Sequence, residues 1–70
     1  MKNKQVEHGR LIHNDVIIEW YELGYKIDIN GNKKVDTLVI DCEGIPIFRR
    51  WLFDDYIAGN IVNILEKMEG

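Results

Sequence analysis

Two hydrophobic periods divide this chain. Up to residue 53 apolar and polar positions tend to alternate, as in Tyr25, Ile27 and Ile29 against Lys26 and Asp28. Beyond it Ile57, Ile61, Ile64, Leu65 and Met68 recur at helical spacing, with Asn60, Asn63, Glu66 and Lys67 on the opposite side. A period of two marks half-buried strands, and a period near 3.6 marks an amphipathic helix. The pattern predicts strands over residues 6–12, 16–23, 25–29, 35–42 and 45–53 and a helix over 55–68. Gly9 weakens the first strand and is a candidate bulge, while Pro46 places the last strand at a sheet edge or starts it in a bulge. Gly24 bends or bulges the chain between the second and third segments.

Turn chemistry separates these segments. His13-Asn14-Asp15 reads as a turn because Asn and Asp accept the backbone angles that turns need. Asn30-Gly31 is a hairpin signal. A four-residue loop over 31–34 sets Ile27 opposite Leu38, Tyr25 opposite Ile40 and Leu23 opposite Cys42, which keeps apolar residues together. Glu43-Gly44 closes the next turn. Asp54 is the expected N-cap of the helix, and Asp55 suits the positive end of its dipole. Gly59 inside the helix costs about 1 kcal/mol relative to alanine; it is either tolerated or marks the close approach of a strand or partner. The fold class that follows is α+β: a small antiparallel β-meander of four to five strands with one C-terminal amphipathic helix packed on one sheet face, a single domain over residues 1–70.

One helix covers one face of a sheet. The expectation is that Ile27, Leu38, Ile40, Cys42, Ile45 and Ile47 pack beneath it. The opposite parity then carries Val35, Val39, Phe48 and Leu52, joined by Trp20, Val16 and Ile18. Contiguous apolar patches beyond a few hundred Å² are unusual on monomers; this second face meets water, the first strand or another chain.

Composition narrows the function classes. A chain of 70 residues buries only about 60% of the surface its unfolded form exposes, and small scaffolds usually gain support from disulfides, metals or association. Cys42 is the only cysteine, which excludes an internal disulfide and fits a reducing cytoplasm. The net charge of −3 and pI near 5.2 argue against a general nucleic-acid coat. Basic residues 1–5 run into Glu7 without an apolar stretch, unlike a secretory leader, and the apolar run of residues 16–18 stops at Glu19, far short of a membrane span. Frequent Ile, Lys and Asn with Ala58 as the only alanine suit an AT-rich genome, such as that of a phage or mobile element.

Residue chemistry points away from catalysis. The chain holds no serine, its carboxylates have no recognisable paired spacing, and Gly31 and Gly44 are turn glycines rather than a phosphate loop. His8 and His13 lie five apart on a strand and so on opposite faces, which makes a poor metal site. Asp41 and Glu43 flank Cys42 and would raise rather than lower its pKa; parity places the thiol in the core. No enzyme activity, metal or cofactor is expected. Residues 48–53 instead form an aromatic-basic cluster of the kind that anchors binding interfaces. Arg49 and Arg50 either lie along Trp51 and Phe48 or pair with the abundant acids, such as Glu22, Asp41 or Asp54. The expected function is that of a small cytoplasmic binding protein, an inhibitor or accessory factor. It would act by stoichiometric protein association, as a homodimer, through Trp20, Val39, Phe48, Arg49, Arg50 and Trp51. A nucleic-acid regulator using Lys33, Lys34, Arg49 and Arg50 is one alternative. A ligand sponge stacking its guest on Trp20, Tyr21 and Trp51 at a dimer interface is another.

Overall fold

A computed structural model describes residues 7–69. Four antiparallel strands, β1 (Glu7–His13), β2 (Val16–Ile27), β3 (Lys33–Ile40) and β4 (Pro46–Phe53), form one sheet in the order β1-β2-β3-β4, followed by helix α1 (Ile57–Glu69). This is the expected meander and helix. The predicted strand start at Val6 and the basic residues 1–5 lie outside the described residues. The segments predicted at 16–23 and 25–29 are one strand. The bulge anticipated at Gly24 falls between Glu22 and Gly24 and leaves Leu23 as the extra residue, so the chain continues instead of stopping.

The turns explain the register. Asn14 and Asp15 have φ of 53° and 66° between the paired His13 and Val16. Such values at both central positions define the two-residue turn that suits twisted hairpins. The next two turns share one design. Asp28 accepts from the backbone N–H groups of Asn30 and Asn32 through Oδ1, and its carbonyl accepts from Gly31. Asp41 does the same with Glu43, Ile45 and Gly44. Gly31 and Gly44 have φ of 85° and 83°, the left-handed position of a three-residue bulged loop. The loop is therefore not 31–34. Ile27 pairs with Lys33 and Tyr25 with Val35, replacing the predicted partners Leu38 and Ile40. The Asp-x-x-Gly loop outcompetes the apolar register because it satisfies its own backbone donors. Pro46 begins an edge strand beside a register shift that passes over Ile47, in line with both sequence expectations.

The helix starts two residues later than predicted, and Asp54 does not cap it. Tyr56, at φ 54°, accepts the first helical bond from Asn60, whose Nδ2 donates to the carbonyls of Phe53 and Asp55. Asp54 is instead held to β3, its N–H donating to the Lys33 carbonyl at 3.0 Å. Gly59 has a specific neighbour: a Cβ there would overlap the Tyr56 ring. At the far end Glu69 accepts from His13 Nε2 at 3.0 Å and from Asn14 Nδ2 at 3.2 Å. The helix thus runs diagonally from the end of β4 to the β1–β2 turn.

The helix covers the parity opposite to the one predicted. Ile18, Trp20, Val35, Val39, Leu52, Ile61 and Leu65 are buried, with Leu11, Phe48, Ile57, Ile64 and, as expected, Ile47 packed around most of them. Full burial of a Val, Leu or Ile side chain contributes about 1.5–3 kcal/mol. Leu38 and Ile40, expected here, share their parity with Lys34 and Asp36, whereas Val35, Thr37 and Val39 carry no charge. Burying the charged set would desolvate an ion, and that cost decides the face. Cys42 is exposed because β3 has ended and the thiol rides the second Asp-x-x-Gly loop. Ile27 and Ile45 are also exposed. Ile27 stands with Tyr25 at the sheet corner that the diagonal helix leaves bare.

Candidate functional site

Strand register assigns every side chain to a face. The face away from the helix is built from Ile12 and Ile17 at one end, Tyr21, Leu38 and Arg49 across the middle, and Trp51, Lys26, Lys34 and Phe53 at the other. Trp51 and Phe53 remain 44% and 48% exposed, and Ile12 71%. Among the described residues no second layer lies over this face.

Its polar groups are organised. Arg49 Nε and Nη2 donate to the two oxygens of Asp36 at 3.0 and 2.7 Å, across the β3–β4 pair. This two-pronged bond holds the Asp36 carboxyl below the usual carboxylate range and raises the Arg49 guanidinium. Arg10 and Glu19, directly opposite on β1 and β2, are joined at 3.2 Å. At the other end Lys26 Nζ lies 4.3 Å from the centre of the Trp51 ring, and Lys34 Nζ 4.8 Å from that of Phe53. A ring face attracts such a cation and holds its long side chain in place.

The structure sorts the predicted site residues into two groups. Arg49 and Trp51 stand on the open face. Trp20 and Val39, at 7% and 0% exposure, are core residues under the helix, so neither is available for contact there. Trp20 lies over Gly9, its direct cross-strand partner, and its Nε1 has no hydrogen-bond partner among the described residues. Gly9 therefore makes room for a ring and no bulge forms there. Phe48 and Arg50 lie on the helix side, with the Arg50 guanidinium 5.7 Å from the Phe48 ring centre, as parity suggested. Arg50 also lines a shallow 260 Å³ cavity with Ile64, Lys67 and Met68. Arg49 pairs with one of the chain's acids, as one of the two expectations held; the partner is Asp36, across the β3–β4 pair on the open face.

Neither alternative set forms one surface. Lys34 and Arg49 are on the open face, whereas Lys33 and Arg50 project on the helix side, Lys33 above Tyr25 at 4.9 Å. Trp20 is on the opposite face from Tyr21 and Trp51, so the three rings cannot clasp one ligand. Sequence reasoning missed Lys26, Lys34 and Phe53 as one group. The signal was the shared parity of Arg49, Trp51 and Phe53, and the bulge at Leu23 that brings Lys26 onto the same side. Among the described residues no group of three His, Cys, Asp or Glu side chains is placed to hold a metal, and no helix is long and apolar enough to cross a membrane. A scan against protein-family models gives no match for the chain, and neither curated proteins nor solved structures yield one.

Proposed function

We propose that this protein is a non-enzymatic binding module that acts by stoichiometric association, docking the open face of its sheet onto a protein partner as an inhibitor or accessory factor. The observation that carries this reading is the face itself. Half-exposed Trp51 and Phe53 continue into Leu38, Ile17 and Ile12, while the helix occupies the other side. Aromatic rings held on a rigid sheet present large contact area at little entropic cost, which is how interface anchors work. The Arg10–Glu19 and Arg49–Asp36 ion pairs and the two lysines over the rings supply the polar groups that such interfaces carry.

The test is affinity capture from a lysate with the wild-type chain and with Trp51→Ala, alongside sedimentation of both pure proteins across concentration. Trp51 is outside the core, so Trp51→Ala is expected to keep the fold and lose the captured partner. Equal capture by both proteins would remove this face from the function. A homodimer, if it forms through this face, is expected to dissociate on the same substitution.

A further inference from the structure

We infer that the occupant of the open face is an acidic segment of another protein, seated by its carboxylates on Lys26 and Lys34 above the Trp51 and Phe53 rings. The inference rests on the docking role proposed for this face. Charge separates the two sides of the chain. The open face carries the cations Arg10, Lys26, Lys34 and Arg49 against the carboxylates Glu19 and Asp36, a net charge of +2, on a chain whose net charge is −3. The four charges of two ion pairs cancel, so the surplus is Lys26 and Lys34.

These two lysines are direct cross-strand partners. Like charges so placed destabilise a sheet, and among the described residues neither makes an ion pair. Lys34 stabilises the charge of Asp28 in the adjoining turn without an ion-pair contact, and Asp28 commits Oδ1 to the N–H groups of Asn30 and Asn32. Each ammonium has three N–H donors; the ring beneath takes one side and leaves the outward side for an anion. An arriving pair of carboxylates relieves the repulsion and neutralises the face.

The layout selects among occupants. Face-to-face docking of a second copy with its two-fold axis along the strands sets the Lys26–Lys34 end on the same end of its twin. With the axis across the strands, that end meets the Ile17 and Ile40 end of the twin, where the carboxylates of Asp15, Asp41 and Glu43 stand in the turns beyond the strands and not on the face. A nucleic-acid strand would need the Trp51 and Phe53 ring faces for stacking, but the lysines already lie over them. It would also leave the aliphatic half of the face, Ile12, Ile17 and Leu38, without use. A peptide with acidic and apolar residues matches both halves.

The experiment is a calorimetric titration of the full chain with a synthetic peptide alternating leucine and glutamate. A leucine–lysine counterpart and an oligothymidylate of equal length are titrated in parallel. The leucine–glutamate peptide is expected to bind at low salt, to weaken as salt rises to about 0.3 M, and to lose at least about tenfold in affinity on the double change Lys26→Glu and Lys34→Glu. The leucine–lysine peptide should bind only the charge-reversed chain, whose fold is checked by its circular dichroism and cooperative urea unfolding. Indifference to peptide charge, absence of leucine–glutamate binding at low salt, or preference for the oligothymidylate would overturn the acidic occupant. So would a dimer of the pure chain that Trp51→Ala dissociates. If Trp51→Ala abolishes peptide binding and the charge reversal does not, the acidic preference fails while the docking face stands. If neither change matters, both fail.

Discussion

Gly9 and Trp20 show how much one missing methyl can matter. The indole lies across the glycine from the neighbouring strand, and a Cβ at residue 9 would occupy the ring's space. Because Trp20 is nearly fully buried, its ring has nowhere to move. Gly9→Ala is expected to destabilise the protein by about 1–3 kcal/mol, the usual range for overpacking, read as a lower urea midpoint with little change in slope. From sequence the glycine looked like a weakness of the strand; the ring that needs it lies eleven residues away and only pairing reveals it. Asp36 and Arg49 make a second residue-scale case. A carboxyl whose folded pKa is depressed adds stability that is present above its unfolded value near 4 and is lost as pH falls through the folded value. Asp36→Asn should therefore cost under about 1 kcal/mol at neutral pH, as expected for a pair whose arginine is exposed to solvent. The difference from wild type should shrink as the pH falls below the unfolded value near 4. A gap that widened on acidification would contradict the pairing.

At the scale of elements, two turns are built on the same five-residue plan, Asp28 to Asn32 and Asp41 to Ile45. The aspartate caps two backbone donors and the glycine supplies the left-handed residue. Gly31→Ala and Gly44→Ala are each expected to cost about 1–2 kcal/mol, the penalty for a Cβ in that conformation, because no contact in the structure offsets it. Asp28→Asn and Asp41→Asn retain a side-chain acceptor and should cost less than the alanine changes, in the same denaturation assay. The glycines were legible in the sequence, as was the helix stripe. The aspartate three residues before each glycine is what sets the loop length, and through it the register. The helix start was misread for a related reason: an aspartate makes a good cap in general, but here Asp54 is tied to β3 and Tyr56 takes the turn.

For the whole molecule, the assignment of faces has a direct optical test. Trp20 is in the core and Trp51 is half exposed. Trp51→Phe is expected to leave a blue-shifted emission that acrylamide scarcely quenches, and Trp20→Phe a red-shifted, readily quenched one; the reverse pattern would exchange the two sides of the sheet. That exchange was the main error of the sequence reading, and it carried the candidate site with it, since Trp20 and Val39 went to the core and Lys26 and Phe53 joined Trp51. The sequence by itself determined the elements, their antiparallel order and the stripe of the helix, because periodicity and turn chemistry act over a few residues and need no partner. It could not choose which face of the sheet the helix covers. Both parities are rich in apolar residues, and the choice rests on a sum over four strands: where the loops place the register, where the bulge at Leu23 flips the parity, and which side can be dried without stripping water from Lys34 and Asp36. Only the tertiary structure performs that sum. It leaves the lysines and their rings together on the side that faces outward.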